Sequence, residues 1–189
     1  MQAIPTALRQ PTSLVFSHMG FYVRDLERMA RFYKDVMCFF ETDRGQLGTV
    51  QLIFLSREPS EHHQIVLATG RPTHASFSII NQISLRVPDL NTLREVHRRV
   101  SADTDVTELV SATHGNAVSI YFRDPEGNRL EVFVDMPWYC EQPLREPLDL
   151  GQTDEQILAA AEALARGRPK FRSRAEWVAD MERLMGYRT

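Results

Sequence analysis

The sequence has few cysteines, no long apolar run and no block of charge of one sign. Only Cys38 and Cys140 occur among 189 residues, which excludes a scaffold held by disulfide bonds, and Cys38 lies in an apolar run where we expect burial. No stretch of about 18 apolar residues is present, so we expect no membrane partner. The 22 basic and 25 acidic residues are interspersed, which argues against a nucleic-acid partner. Residues 1–13 lack the features of a signal peptide, and we expect a cytoplasmic protein.

Two segments of the chain repeat each other at an offset of 64 residues. Residues 18–36 align with residues 82–100, and both copies read as a short alternating strand, an aspartate and an amphipathic helix. Asp25 and Asp89 precede the two helices, at the position where an aspartate side chain caps a helix N-terminus. The repeat therefore predicts two modules that open in the same way.

Each copy continues into three stretches with β-strand patterns, separated by turn residues. These stretches lie near 38–43, 49–56 and 62–69 in the first copy and at 105–111, 117–123 and 129–135 in the second. Each copy is therefore predicted to be a βαβββ module. Two such modules, each with one uncovered sheet face, are expected to pair into a curved, cup-shaped mixed sheet, and the fold class is α+β.

The chain after Trp138 has a different character from the two modules. Prolines and glycines mark an extended segment, and capping-box sequences that begin at Thr153 and Ser173 each precede a helix. We expect this helical tail to pack on the modules or on a partner subunit. The predicted divisions are an N-terminal extension, two modules, and an extended segment with its helical tail, at residues 1–15, 16–72, 78–137 and 138–189.

Three polar residues interrupt otherwise apolar strands. His18 and Gln82 occupy equivalent positions at the start of the first strand of each module. Glu131 lies between Leu130 and Val132 on the last strand of the second module, where a buried carboxylate is costly unless it is paired or bound to a metal. Taken singly, each residue is explained by hydrogen bonds within a core strand. Taken together, the three are candidates for one site.

The last strand of the first module offers two neighbouring histidines, His62 and His63. Aligning the modules at their strand turns places Ile65 opposite Glu131. Because side chains alternate along a strand, this alignment turns His63 rather than His62 towards the candidate site. A difference of one residue between the hairpins would reverse that choice and make Gln64 available instead.

The segment 114–133 resembles the signature of type I extradiol ring-cleavage dioxygenases, the catechol 2,3-dioxygenase group. This group belongs to the vicinal oxygen chelate superfamily, which also includes glyoxalases and bleomycin-resistance proteins and is built from paired βαβββ modules. Residues 18–33 resemble the usual opening of that superfamily, and residues 62–67 resemble the double-histidine strand of small one-domain biphenyldiol dioxygenases. The resemblance covers about residues 16–137 and does not extend to the tail.

This resemblance implies a role for each candidate residue. It implies metal ligands at His18, Gln82 and Glu131, an acid–base histidine at His63, and a substrate- and oxygen-side pair at His114 and Tyr121. The family uses Fe²⁺ with histidine as its second ligand, whereas this chain has Gln82 at that position. Because an amide oxygen is a harder and weaker ligand than imidazole, Gln82 shifts the preference towards Mn²⁺, Mg²⁺ or Zn²⁺.

The resemblance predicts a metal-dependent oxidoreductase of aromatic catabolism that opens a small catecholic diol with O₂. Two neutral ligands and one carboxylate leave open positions for a bidentate substrate and O₂, and a neutral histidine can take and return a catechol proton. A second hypothesis is a metal-dependent lyase or isomerase that acts through an enolate, since glyoxalase- and epimerase-like members use glutamine as a ligand. A third hypothesis is a protein that sequesters a drug without turnover. We expect a homodimer or a higher homo-oligomer.

Overall fold

The computed structural model describes residues 15–74 and 78–186. The predicted N-terminal extension, residues 1–15, lies outside this part of the chain except for its last residue. The α+β class and the βαβββ order of both modules are confirmed. None of the described helices is long and apolar enough to cross a membrane.

The elements follow the predicted order along the chain. The first module consists of β1 (Met19–Val23), α1 (Leu26–Arg31) with a π-helical turn (Phe32–Val36), β2 (Phe40–Leu47), β3 (Val50–Ser56) and β4 (Ile65–Thr69). The second module consists of β5 (Ile83–Arg86), α2 (Leu90–Ala102), β6 (Thr107–Thr113), β7 (Ala117–Arg123) and β8 (Arg129–Asp135). The tail contains β9 (Trp138–Tyr139), β10 (Glu146–Pro147), α3 (Asp154–Arg166), β11 (Arg172–Ser173) and α4 (Arg174–Met185).

Both module helices begin at the residues that the repeat predicts. The Asp25 carboxylate accepts a hydrogen bond from the backbone N–H of Arg28 at 2.9 Å. The Asp89 carboxylate accepts one from the backbone N–H of Thr92 at 2.7 Å. Each aspartate thus satisfies a first-turn N–H group that has no partner within the helix, which confirms both predicted caps.

Each module forms its own mixed sheet, and the two sheets pair their strands alike. The strand order is β1-β4-β3-β2 in the first sheet and β10-β6-β7-β8-β5 in the second, with β1 parallel to β4 and β5 parallel to β8. Gly20 lies opposite Val66, and its repeat equivalent Ser84 lies opposite Glu131. The first-module counterpart of Glu131 is therefore Val66, so the sequence alignment of Ile65 with Glu131 was wrong by one residue.

Alternate residues of the strands build the hydrophobic core. In the first module α1 packs on β3 and β4, and the buried apolar residues of these two strands are Ile53, Leu55, Ile65 and Leu67. In the second module the apolar residues that β7 and β8 contribute to the core are Val118, Ile120, Phe122, Leu130, Val132 and Val134. Because side chains alternate between the faces of a strand, the residues between these positions lie on the opposite face of each sheet. The candidate site residue Glu131 belongs to that opposite face.

A buried glutamate in the turn before β8 joins the second module to the first. The Glu126 side chain is only 4% exposed. Its Oε1 accepts hydrogen bonds from the backbone N–H groups of Arg24 and Asp25 at 2.6 and 2.8 Å, and its Oε2 lies 3.3 Å from the guanidinium of Arg71. A charged acceptor strengthens each of these bonds. Glu126 therefore fixes the chain that enters α1 against the turn of the second module.

Cys38 is exposed, which contradicts the burial expected from its apolar neighbours. It follows the π-helical turn and adopts a positive φ of 58°. Its neighbours Met37 and Phe39 are both buried, so the left-handed backbone at Cys38 directs its side chain out of the core. The thiol contacts the guanidinium of Arg99 instead.

The tail belongs to a second compact unit, formed by Ala112–Val118 and the chain from Asp135 onward. Both predicted capping boxes are confirmed, at Thr153 and at Ser173. Helix α3 contributes buried residues to this unit, whereas none of the residues described in α4 is buried. Within the unit, β10 pairs with the end of β6 and β9 pairs with β11.

Gly115 determines how closely the tail can approach the turn between β6 and β7. Its φ is 73°, and a Cβ atom there would lie 2.9 Å from Cys140 Sγ and 3.1 Å from Leu144 Cδ2. We expect Gly115→Ala to lower the free energy of unfolding by about 2–4 kcal/mol, the sum of backbone strain and overpacking. Urea denaturation followed by circular dichroism measures the change.

Gly48 provides the matched control for this substitution. Its φ is 61°, and a Cβ atom there would meet no heavy atom of the described chain within 4 Å. Gly48→Ala should therefore cost only the backbone strain, about 1–2 kcal/mol. Equal losses in the two variants would show that the tail does not constrain Gly115.

Candidate functional site

In the second module, hydrogen-bond donors surround the carboxylate of Glu131. Glu131 on β8 is only 8% exposed. The hydroxyl groups of Ser119 and Tyr121 donate to its Oε1 at 2.8 and 2.6 Å. The hydroxyl of Ser84 and the Nε2 amide of Gln82 donate to its Oε2, both at 2.7 Å. These bonds offset the cost of burying the carboxylate.

Strand alternation explains why these residues converge on one face. On each strand the polar residues alternate with buried apolar ones: Gln82, Ile83 and Ser84; Ser119, Ile120 and Tyr121; Leu130, Glu131 and Val132. Sequence reasoning found Gln82, Tyr121 and Glu131 but missed the two serines. Strand alternation could have identified them, because each serine lies two residues from a predicted site residue and therefore on the same face of the sheet.

Gln82 and Glu131 fit the ligands of a divalent cation. Their side chains meet at 2.7 Å, close to the separation of about 3 Å between neighbouring ligands of an octahedral ion. The Gln82 nitrogen faces the carboxylate, and turning the amide over presents its oxygen. A carboxylate and an amide oxygen are hard ligands that suit Mn²⁺ or Mg²⁺. The donor set of the second module is therefore compatible with a divalent metal.

The first module brings His18 and His63 into contact. Their ring centroids lie 4.2 Å apart with the planes tilted by 58°, and the His63 ring also lies 5.2 Å from that of Phe54. The Nδ1 atoms of His62 and His63 are 2.8 Å apart, so one must donate to the other. Burial lowers the pKa of His63, with smaller contributions from neighbouring His18 and His62. The lowered pKa favours the neutral imidazole form of His63, which lies beside a predicted metal ligand.

The position of His63 does not follow from the alternation of β4. The regular strand begins at Ile65, and continuing its alternation backwards would place Gln64 on the face of Val66. The Gln64 side chain instead accepts a hydrogen bond from the backbone N–H of Arg57 at 2.9 Å. Because His63 precedes the regular strand, the irregular backbone there allows its ring to reach His18.

The fourth strand of the first module offers no ligand at the position equivalent to Glu131. The connection 57–66 is one residue longer than its counterpart 123–131, which shifts the register and places Val66 there. An aliphatic side chain cannot bind a metal. The four equivalent strand positions therefore supply at most three protein ligands.

His114 lies in the compact unit that contains the tail. Its Nδ1 is 2.5 Å from the backbone oxygen of Leu144. Because a carbonyl oxygen only accepts, Nδ1 must carry a proton. The backbone oxygen of His114 accepts a further bond from the Gln142 side chain at 2.9 Å. The tail thus orients His114, and its role beside the substrate stays a prediction.

The structure gathers the predicted site residues into separate groups. Gln82, Glu131 and Tyr121 meet on the second sheet, and His18 meets His63 on the first. Within residues 15–74 and 78–186, no three His, Cys, Asp or Glu side chains are placed to hold a metal. The predicted ligand set contains only two residues of those types, so this finding does not test it. Metal binding by His18, Gln82 and Glu131 together stays a prediction.

Comparisons with known proteins agree with this architecture. The structure is similar to a glyoxylase/bleomycin resistance protein/dioxygenase domain from Frankia sp. EAN1pec, with a TM-score of 0.57, 22% identity, and coverage of 67% of this chain and 100% of that one. It is also similar to the fosfomycin resistance protein FosX from Mesorhizobium loti, with a TM-score of 0.50, 23% identity, and coverage of 65% and 91%. Identities this low establish the shared fold alone. No curated protein matches.

Residues 15–132, which include both modules up to Glu131, match the Glyoxalase/Bleomycin resistance protein/Dioxygenase superfamily, and the chain therefore belongs to that superfamily.

Proposed function

We propose that this protein is a metal-dependent enzyme that opens the ring of a catecholic substrate with O₂, in the extradiol manner. The observation that carries the proposal is the pair Gln82 and Glu131, which meet at 2.7 Å, combined with Val66 at the fourth equivalent position. With His18 these residues form a set of two neutral ligands and one carboxylate. Such a set leaves open positions for a bidentate substrate and for O₂.

The ligand types also define the metal class. A divalent cation bound there would act as a Lewis acid towards the two substrate oxygens. Gln82 contributes an amide oxygen where the dioxygenase resemblance implies histidine, so we propose Mn²⁺ as readily as Fe²⁺. His63 contacts His18, and burial lowers its pKa and so favours the neutral ring, which suits it to accept a proton from a substrate hydroxyl.

Enolate chemistry on a thioester or hemithioacetal is the second candidate, and Gln82 favours it. Glyoxalase- and epimerase-like members draw up to four ligands from the equivalent strand positions, including glutamine. Val66 occupies one of those four positions here, and its aliphatic side chain cannot bind a metal. The reduced ligand count therefore favours ring cleavage over the four-ligand lyases.

Oxygen uptake separates the two candidates. The protein is reconstituted without air using Fe²⁺ or Mn²⁺ and then mixed with oxygenated catechol or 2,3-dihydroxybiphenyl. Ring cleavage predicts metal-dependent oxygen consumption and a yellow product. If no diol consumes oxygen while proton exchange on a hemithioacetal or thioester depends on the metal, enolate chemistry is correct and the dioxygenase proposal is wrong.

Gln82→His tests the altered ligand directly. Imidazole binds Fe²⁺ more tightly than an amide oxygen does, so the variant should have a lower dissociation constant for Fe²⁺. It should also retain or increase ring cleavage, because the number of open positions is unchanged. Calorimetric titration under nitrogen measures the affinity, and the parent protein is the control. Weaker Fe²⁺ binding in the variant would argue against Gln82 as a ligand.

A further inference from the structure

We infer that Ser119 and Tyr121 are positioning residues that hold Oε1 of Glu131 and thereby direct Oε2 to the metal. The inference rests on the proposed metal site. It assigns a role to Ser119, which sequence reasoning did not single out. It also gives Tyr121 a different task from the substrate-side role that the dioxygenase resemblance implies.

The two oxygens of Glu131 have different partners, and the partners differ in burial. Oε1 receives hydrogen bonds from Ser119 and Tyr121 at 2.8 and 2.6 Å, and these residues are 0% and 5% exposed. Oε2 receives bonds from Gln82 and Ser84 at 2.7 Å; Gln82 is half-buried and Ser84 is exposed. The buried side of the carboxylate is therefore satisfied within the protein, while its other oxygen meets groups that solvent and ions can reach.

The strands that carry these donors also differ in their position within the sheet. Ser119 and Tyr121 lie on β7, which has neighbours on both sides in the second sheet. Ser84 lies on β5, the edge strand, and Gln82 immediately precedes it. A central strand holds its side chains more rigidly than an edge strand. The Oε1 contacts are thus the fixed ones, and the Oε2 contacts are those that can be exchanged.

If Oε2 held a cation, some of these contacts would be exchanged and the others would be kept. The Gln82 amide must turn its oxygen to the cation, and the Ser84 hydroxyl must give up or redirect its bond. The bonds from Ser119 and Tyr121 are undisturbed and hold the carboxylate in one orientation. Residues that orient a metal ligand in this way contribute about 10–100-fold to metal affinity.

The same geometry limits what Tyr121 can do in catalysis. A phenol has one O–H proton, and Tyr121 donates it to Glu131 at 2.6 Å. While that bond persists, the hydroxyl cannot donate to a substrate oxygen or to an oxygen adduct. Tyr121 therefore acts through Glu131.

Calorimetric measurement of the Mn²⁺ affinity tests whether Oε1 of Glu131 is held by the protein while Oε2 binds the metal. Tyr121→Phe and Ser119→Ala should each raise the Mn²⁺ dissociation constant by about 10–100-fold. Ser84→Ala should leave it within about threefold of the parent value, because the metal replaces that bond. The thermal shift that saturating Mn²⁺ produces should shrink in the first two variants and persist in the third.

Tyr33→Phe is the matched control for a lost buried hydroxyl. The Tyr33 hydroxyl lies 3.4 Å from Asp124 and does not belong to the Glu131 cluster. Whatever its stability, this variant should have the Mn²⁺ dissociation constant of the parent. Weaker binding in Tyr33→Phe would mean that the effect of Tyr121→Phe is only structural.

Two results would overturn the inference: parent-like Mn²⁺ affinity in both Tyr121→Phe and Ser119→Ala, or a larger loss in Ser84→Ala than in either of them. A parent protein that binds no Mn²⁺ or Fe²⁺ would overturn it together with the metal site. If the variants lose affinity as expected while no catechol consumes oxygen, the inference stands and only the dioxygenase proposal fails.

Discussion

Glu131→Gln is expected to abolish binding of the divalent metal and, with it, activity. The substitution keeps the shape of the side chain and leaves an oxygen that can still accept hydrogen bonds from Ser119 and Tyr121. It removes the one negative charge of the proposed ligand set, which is the strongest attraction between that set and a hard cation. We expect affinity to fall by more than about a hundredfold, the upper range for residues that merely support a ligand.

Elemental analysis of protein purified without chelators measures this loss. The parent should contain about one divalent ion per chain, and the variant should contain none. Glu126→Gln is the matched control, because it neutralises another buried glutamate that binds backbone N–H groups rather than the proposed metal. That variant should be less stable but keep its metal. Full occupancy in Glu131→Gln would exclude Glu131 as a ligand.

His63→Ala should slow ring cleavage by about a hundredfold or more while leaving the metal in place. The ring centroids of His63 and His18 lie 4.2 Å apart, so His63 is close to the proposed metal ligand. A positioned acid–base group usually contributes a rate factor of this size. Initial rates of oxygen uptake, with metal content measured on the same samples, provide the test. Added imidazole should restore part of the rate, because it can enter the space that the side chain has left.

Two other histidines serve as controls for this variant. His97→Ala changes a histidine on α2, whose ring lies near Ser101 of the same helix, and it should leave the rate unchanged. His62→Ala removes the partner of the His63 Nδ1 atom and should cause a smaller loss than His63→Ala. A larger loss in His62→Ala would transfer the acid–base role to His62.

The sequence by itself determined the modular architecture of this protein. The repeat, the period of its apolar residues and the caps at Asp25 and Asp89 are short-range features, and each acts within a few residues of itself. The helices therefore begin where the patterns predict, and both modules have the βαβββ order. Family membership follows from the same local motifs, since the matched segment covers both modules.

The sequence also predicted part of the site without revealing how that part is held. Gln82, Tyr121 and Glu131 were identified as candidates, and they meet on one sheet face. Strand alternation could place Ser84 and Ser119 on the face of the predicted site residues, but only the cross-strand register brings these two serines within bonding distance of Glu131. Register depends on pairing between distant segments, which local patterns do not encode.

Tertiary structure alone decided the features that depend on loop length and backbone irregularity. One extra residue in the connection before β4 makes Val66 rather than Ile65 the counterpart of Glu131. A left-handed residue exposes Cys38 despite its apolar neighbours. His114 is oriented by the backbone of Leu144 in the tail, thirty residues away along the chain. In each case the deciding contact joins parts of the chain whose meeting is determined by the hydrogen-bond ladder and the packing of the whole fold, so no pattern within one segment could predict it.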